Sequence, residues 1–512
     1  MDAATMDPRR RTLINLTLMV ATVMQALDAT IANVALPHMR GSFSATQDQI
    51  SWVLTSYIVA SAIMVPLSGF LSGLIGRKNL LMWSIVGFTL ASMACGVAES
   101  LGEMVIFRLI QGVCGASLMP VSQAIILDIY PKEKHGQAMA IWGIGVMVGP
   151  ILGPTLGGYL TEYMNWRWVF FINVPFGLIG FLGVVALLTE TERDKERRFD
   201  MFGFALLSIG IGALQLALDR GQSKDWFNSP EILIEAFAAV IAIYFFIVHM
   251  LTAEHPFVDR RMFADRNFVI GILYIFLISM TVFSTAALLP PFLEDIRGFP
   301  VELTGLVMAP RGAATMIAML IAGRLVGKVD LRLLLGFGVF LVVLSLSQMS
   351  AFSADVGYRE VILTGLIQGF GLGFLFVPLT TITYATLPGY LRSDAVGVFG
   401  MMRNVGGSIG VSIAFAMLTR QTQISHAELV EHINPYNPLL QAFSAFDSTN
   451  TSLGTTALAM IDGEINRQAG MIAFLDDFIL TMFACLAMLP LLLFLRPPKQ
   501  KLTLNPAEMV SE

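Results

Sequence analysis

Apolar residues in this 512-residue chain occur in runs too long for a soluble core, separated by short polar connections. A membrane span needs about 20 apolar residues, at 1.5 Å rise each, to cross about 30 Å of hydrocarbon. Fourteen runs meet that length: 13–37, 50–72, 79–98, 104–127, 137–161, 168–189, 202–219, 231–252, 268–292, 303–326, 331–352, 360–384, 396–419 and 471–495. The pattern predicts an all-α polytopic membrane protein with fourteen transmembrane helices. One long polar segment, 420–470, interrupts the series before the last span and contains Asn434-Pro435-Tyr436-Asn437-Pro438. From Leu439 to Arg467 its apolar spacing suits either a helical hairpin or an unstructured loop.

The runs repeat. Leu109-Ile110-Gln111-Gly112 is echoed by Leu366-Ile367-Gln368-Gly369. Pro120 and Pro131 follow the first copy, and Pro378 and Pro388 follow the second at nearly the same spacing. Gly149 and Gly406 then stand at matching distances beyond Pro131 and Pro388. Internal repeats of this kind point to a transporter built from two related bundles. The expected plan is 6+2+6: a six-helix bundle over 1–199, an inserted helix pair over 200–254, and a second six-helix bundle over 255–512. The second bundle carries the 420–470 segment on its outer side. Charged connections at 189–200 and 255–266 flank the inserted pair as amphipathic linkers.

Charge sets the orientation. Only 13% of residues are charged, against about 25% in soluble domains, so where the charges lie matters more than their net value of −5. With the N-terminus inside, 21 of the 32 Lys and Arg fall on the inner side, 8 outside, and three (Arg108, Arg311 and Arg403) within spans. Positive residues stay cytoplasmic, so both termini are expected in the cytoplasm. Arg9, Arg10 and Arg11 before an apolar run mimic a secretory leader, but the run is long and carries Asp28. It reads as a retained first helix. The three cysteines lie within apolar runs and read as packing residues.

Asp28 is the first candidate for chemistry. A carboxylate within hydrocarbon costs roughly 2.5–3.5 kcal/mol, so it needs a proton or a partner. Counting from Pro37, Asp28 lies about 13 Å below the outer surface, and Arg108 in span four lies about 7 Å below it. An arginine side chain can bridge most of that difference. Two readings follow: a proton-coupling pair broken and remade as Asp28 titrates, or a permanent ion pair that fixes helix packing. Gln25, Thr30 and Asn33 lie on or beside the Asp28 face, and Gln111 is one turn from Arg108. They line a polar pathway or bond between helices; Gln368, Arg403 and Asn404 are the second-half candidates for the same pathway. Arg311 has no evident partner in the sequence.

Span five carries Gly145, Gly149, Gly153 and Gly157 on one face, with Pro150 and Pro154 between them. Small residues at this spacing allow close helix approach, and each proline removes a helical hydrogen bond and invites a bend. The stretch is therefore either a tight packing face or a conformational hinge. Gly69, Gly76, Arg77 and Lys78 mark the inner connection between spans two and three. No phosphate-binding G-x-x-x-x-G-K-[ST] loop, metal-ligand pattern or hydrolase serine elbow is present in the sequence. The chain reads as neither an enzyme nor a nucleic-acid binder, with no cofactor beyond the proton-motive force.

Together these motifs resemble the major facilitator superfamily, over essentially the whole chain, and within it the 14-span drug:proton antiporter branch. Leu27 to Pro37 resembles that branch's first-span signature. Phe107-Arg108-Leu109-Ile110-Gln111-Gly112 resembles the fourth-span motif linked to proton coupling, and Gly145 to Gly158 resembles the fifth-span antiporter motif. Asn165 to Pro175 and Leu218-Asp219-Arg220-Gly221 are also typical of the branch. One departure stands out: Gly73 and Leu74 occupy positions where the superfamily usually has Asp then Arg, which removes the usual acid of the inner-side charge lock.

The resemblance implies a proton-driven antiporter in a bacterial inner membrane, exporting amphipathic drugs by alternating access between two rocking bundles. The long outer segment is similar to that of pumps in tripartite efflux systems. It implies a periplasmic membrane-fusion adaptor and a TolC-like outer-membrane channel as partners. The rival readings are a dedicated exporter of one metabolite, such as a siderophore or fatty acid, and a non-transporting membrane scaffold or sensor.

Overall fold

The computed structural model describes residues 7–131, 134–191, 199–431 and 451–496. Among them, thirteen helices are long and apolar enough to cross a membrane, and one bent pair supplies a fourteenth. The first group is α1 (Pro8–Ser42), the bent pair α2 (Gln47–Met64) and α3 (Leu67–Ile75), α4 (Arg77–Val97), α5 (Leu101–Gly115) continued by α6 (Leu118–Ile129), α7 (His135–Tyr163), and α8 (Trp168–Phe171) continued by α9 (Asn173–Leu187). Then come α10 (Met201–Arg220) and α11 (Pro230–Thr252). The second group is α12 (Arg266–Pro291), α13 (Val301–Leu325), α14 (Leu331–Met349), α15 (Tyr358–Ala385), α16 (Arg392–Glu431), α17 (Thr451–Leu486) and the short α18 (Leu489–Leu492).

Helix ends follow their local chemistry. Asp7 accepts the Arg9 N–H at 3.1 Å with Pro8 in the first turn of α1. Thr46 and Gln49 form a reciprocal capping box on α2. Gly76 separates α3 from α4 at φ +89°, a conformation that suits glycine. Three boundaries differ from expectation. Pro37 lies inside α1, which runs on to Ser42. The outer segment begins as a continuation of α16 through Glu431 and ends as the first turns of α17, while residues 432–450 lie outside the described residues. The sharp bend falls at Pro66, between α2 and α3 (58°), whereas α7 is unbroken through Pro150 and Pro154.

The sequence repeat reappears as a repeat of close approaches. A Cβ at Gly149 would strike the Ala26 backbone, seating α7 on α1; one at Gly406 would strike the Phe276 backbone, seating α16 on α12. Likewise a Cβ at Gly112 would lie 2.6 Å from the Tyr57 carbonyl and one at Gly369 would strike the Arg311 carbonyl, so α5 meets α2 as α15 meets α13.

The two groups meet along α7 and α13. A Cβ on Gly136 would lie 2.5 Å from Val326, one on Gly323 2.6 Å from Ala140, and one on Gly143 2.7 Å from Met319; Gly312 packs on Ile151. A second seam runs between α2 and α16, with α10 lying across it. Asp219 accepts from the Thr55 hydroxyl of α2, while the Ser412 hydroxyl of α16 donates to Leu218 O at 2.9 Å. Both described chain ends lie at one face of the bundle, where Arg10 reaches Leu187 O (3.1 Å) and the Arg496 N–H reaches Asn267 Oδ1 (2.8 Å).

Candidate functional site

Asp28 sits in the middle of α1 with no exposed surface, and Arg108 of α5 is equally buried. Arg108 Nη1 donates to Asp28 Oδ2 at 2.8 Å and to Gln111 Oε1 at 2.7 Å. Gln111 Nε2 and Asn173 Nδ2 both donate to Asp28 Oδ1, at 2.8 and 2.9 Å. Asn173 also donates to Ser92 Oγ (2.9 Å), and Arg108 Nε to Val53 O (3.1 Å). The guanidinium lies 4.3 Å from the Tyr57 ring centroid and 5.7 Å from that of Phe170. The carboxylate therefore has a donor on each oxygen, and its charge is cancelled within one shell. Such a pair tolerates burial only while both members are in place.

Both elements hold the pair rigidly. Gly112 lets α5 close on α2, which brings Val53 O and the Tyr57 ring against Arg108. On the other side α7 clasps α1 around Asp28. Gly149 packs on Ala26, Gly153 on Thr30, and a Cβ on Gly157 would lie 3.0 Å from Ile31. The Thr30 hydroxyl donates to Gly149 O at 3.0 Å. A Cβ on Gly145 would lie at ordinary contact distance, 3.5 Å from Met19.

The other polar candidates divide. Gln111 belongs to the Asp28 cage. Gln25 is pinned by the Met119 N–H at 3.1 Å, and Asn33 is exposed on α1. Gln368 is buried, and its Oε1 has no hydrogen-bond partner among the described residues. Arg403 Nη2 lies 3.7 Å from Met119 Sδ across the seam, and Asn404 beside it is half-buried. Sequence reading missed Asn173 and Tyr57 as members of the cage. Asn173 lies in the Asn165–Pro175 run, whose polar residue within apolar neighbours was the available signal.

At the face carrying the chain ends, a charge cluster crosses between the helix groups. Arg77 pairs with Asp128 of α6, and its Nη2 donates to Ser393 Oγ of α16 at 2.7 Å. Arg392 lies 3.5 Å from the same Asp128. Gly69 packs against Asp394, and Lys78 Nζ donates to Leu188 O at 2.7 Å. Glu190 accepts from the backbone N–H groups of Lys78 and Asn79, both at 3.2 Å. The cluster thus forms without an acid at position 73, because Asp128 supplies the negative charge from α6.

Two related groups of membrane-length helices, with a neutralised acid buried within the first, are the architecture of a polytopic membrane transporter. The chain belongs to the major facilitator superfamily, whose family pattern it matches over residues 18–411. It is 40% identical over 491 residues to multidrug export protein EmrB of Escherichia coli strain K12, covering 95% of each chain. It is 36% identical to EmrB of Haemophilus influenzae, covering 95% of this chain and 96% of that one. Fatty acid resistance protein FarB of Neisseria gonorrhoeae is 35% identical with the same coverage. The human organic anion transporter MFSD10 shares the fold alone, with a TM-score of 0.60 at 15% identity over 94% of this chain and all of that one.

Proposed function

We propose that this protein is a proton-driven antiporter that exports amphipathic and hydrophobic compounds across a bacterial inner membrane by alternating access. The observation that carries the reading is the Asp28–Arg108 pair, fully buried and held between α1 and α5 where α7 clasps α1. Intramembrane ionisable groups of this kind mark proton or substrate pathways. Protonation of Asp28 removes the charge that holds Arg108 and leaves the guanidinium to seek other acceptors. That changes the preferred packing of α5 and α1, and through Thr30 and the glycine face the change reaches α7. Because α7 packs on α13 of the other bundle, it can bias rocking of residues 1–199 against 255–512, with the pair 200–254 riding on the α2–α16 seam.

Positive residues concentrated at the face of the chain ends support a cytoplasmic location for both termini. The helical extensions around 420–470 then project into the periplasm as the docking surface for an EmrA-like membrane-fusion adaptor and, beyond it, a TolC-like channel. The relatives named EmrB support a multidrug range; the one named for fatty acid resistance supports a narrower second reading, a dedicated fatty acid exporter.

The deciding experiment is proton movement in proteoliposomes on addition of a lipophilic drug, with wild type and Asp28→Asn side by side. Drug-dependent proton flux that Asp28→Asn abolishes is the expected result. Flux that survives the substitution makes the pair structural and moves coupling elsewhere.

A further inference from the structure

A second carboxylate is buried at membrane depth, and unlike Asp28 it has no cation beside it. Asp477 lies on α17, six residues past Met471, where the last predicted span begins, and so about 9 Å into that span. It is 2% exposed, and its Oδ2 has no hydrogen-bond partner among the described residues. Phe474 and Phe478, close to it along the helix, both make T-shaped contacts with the Phe292 ring, at 5.6 and 6.1 Å. Phe292 opens the π-helical turn, Phe292–Ile296, in which α12 ends. The adjacent Asp476 is half-buried and accepts from Gln421 Nε2 of α16 at 3.2 Å. Beyond that contact α16 and α17 run on past the span, and His426 Nε2 meets Asp462 Oδ1 between them at 3.4 Å.

The elements packed on α17 bring no cation to the level of Asp477. On α12, Arg266 lies over Phe494 near the opposite end, and Tyr274 faces Cys485, about two turns farther along α17. On α14, Arg332 is held by Leu495 O at that same far end. On α16, Arg403 points to Met119, Arg420 is exposed beside Gln421, and Glu428 and Glu431 are exposed beyond it. Arg392 and Asp394 stand at the other end of α16. The turn 292–296 adds only the acids Glu294 and Asp295, and Arg297 after it is held by Ala354 O at 3.0 Å. An isolated carboxylate is not kept ionised in apolar surroundings; such a group takes up a proton instead.

We propose that Asp477 is a proton-binding site, separate from Asp28, that exchanges with the medium at the face opposite the chain ends and fixes the base of the two helical extensions. α17 packs on α12, α14 and α16, all of the second bundle, and so stands outside the α7–α13 contact. Its proton therefore returns to the side it came from, by way of the part-exposed Asp476 and Gln421. With the proton bound, a neutral acid lies beside the phenylalanine cluster. Without it, like charges stand on adjacent residues against an apolar wall, which drives α17 off Phe292 and loosens the Gln421–Asp476 contact. The extensions should then separate as pH rises. The inference goes beyond the antiport reading and does not depend on it.

Infrared difference spectra of the full-length protein in nanodiscs, titrated from about pH 5 to about pH 9, read the acid directly. Wild type should lose a protonated-carboxyl band as pH rises. Asp28→Asn and Asp476→Asn should keep that loss, Asp477→Asn should abolish it, and Asp477→Glu should restore it. Spin labels at Val430 and Met460, exposed on the two extensions, should report a longer distance at high pH in wild type. Asp477→Asn should hold the short distance throughout. His426→Gln should leave the response in place, which excludes the His426–Asp462 pair as its source. A wild-type band that pH does not change, a loss that survives in Asp477→Asn, or extensions fixed at one distance overturns the inference. Both wild-type titrations decide it even where Asp477→Asn fails to fold, and absence of drug-driven proton flux overturns only antiport.

Discussion

The Thr30 hydroxyl donates to Gly149 O at 3.0 Å, two residues along α1 from the buried carboxylate of Asp28. The helix that holds the acid and the helix with the glycine face are thus hydrogen-bonded at the level of the ion pair. α7 in turn packs along α13 of the second bundle. A change at Asp28 has a short, contiguous route to the bundle interface: Asp28, the turn at Thr30, Gly149, then Ile151 against Gly312.

That route makes the glycines unequal. A Cβ at Gly153 falls on the Thr30 hydroxyl and one at Gly149 on the Ala26 backbone, whereas one at Gly145 sits 3.5 Å from Met19. Overpacking costs about 1–3 kcal/mol. Gly149→Ala and Gly153→Ala should therefore lower the melting temperature in detergent and depress transport. Gly145→Ala should leave both nearly unchanged. Equal effects at all three positions would assign the face a role other than close approach to α1.

Asp28→Asn should be worse for folding than Arg108→Gln. Without Arg108 the buried carboxylate can take up a proton and become neutral, whereas Asp28→Asn leaves a buried guanidinium that keeps its charge, a loss of about 3–5 kcal/mol. The double variant Asp28→Asn/Arg108→Gln should be more stable than Asp28→Asn alone. Thermal unfolding of the four proteins reads the coupling, and additive losses would show that the two side chains act independently.

How much of this was legible in the sequence follows from range. Each predicted span has a helix, because an apolar run long enough to cross a membrane has few other solutions. Asp28 and Arg108 were found because charge inside such a run is costly, and Gln111 followed from helical spacing. Asn173 was not assigned to the cage, because an amide in an apolar run carries no charge to flag it, and its partner is 145 residues away. The prolines were ambiguous for a related reason. Pro150 and Pro154 sit in an unbroken helix clasped by α1 and α13, while Pro66, with nothing unusual in its local spacing, marks the 58° bend. Asp128 escaped notice because it lies just past the predicted end of span four, and its importance depends on Arg77 and Arg392 arriving from other helices.

The charge lock should bias which side of the protein is closed. Asp128→Asn removes the acid shared by Arg77 and Arg392 while keeping side-chain volume. Asp128 is partly exposed, so its pair with Arg392, the one that crosses between the helix groups, contributes only about 0–1 kcal/mol. The expected result is a shift of up to roughly fivefold toward the state open at the end-bearing face. Spin labels at Leu74 and Tyr390, both exposed and on opposite sides of the seam, should show a longer-distance population in the variant. An unchanged distance distribution would limit the cluster to topology and folding.

Substrate charge should set the response to membrane potential. Exporting a monoanion against one inward proton moves two charges in the direction an inside-negative potential favours, about 4.6 kcal/mol per 100 mV at about 2.3 kcal/mol for each charge. Exporting a monocation against one proton moves no net charge. Wild-type proteoliposomes oriented with the end-bearing face outward, loaded and clamped with potassium and valinomycin, should therefore accelerate decanoate exchange as the potential is made more favourable. Tetraphenylphosphonium exchange, if present, should stay flat. An equal response to potential for the anion and the cation would overturn one-for-one exchange of substrate against a proton.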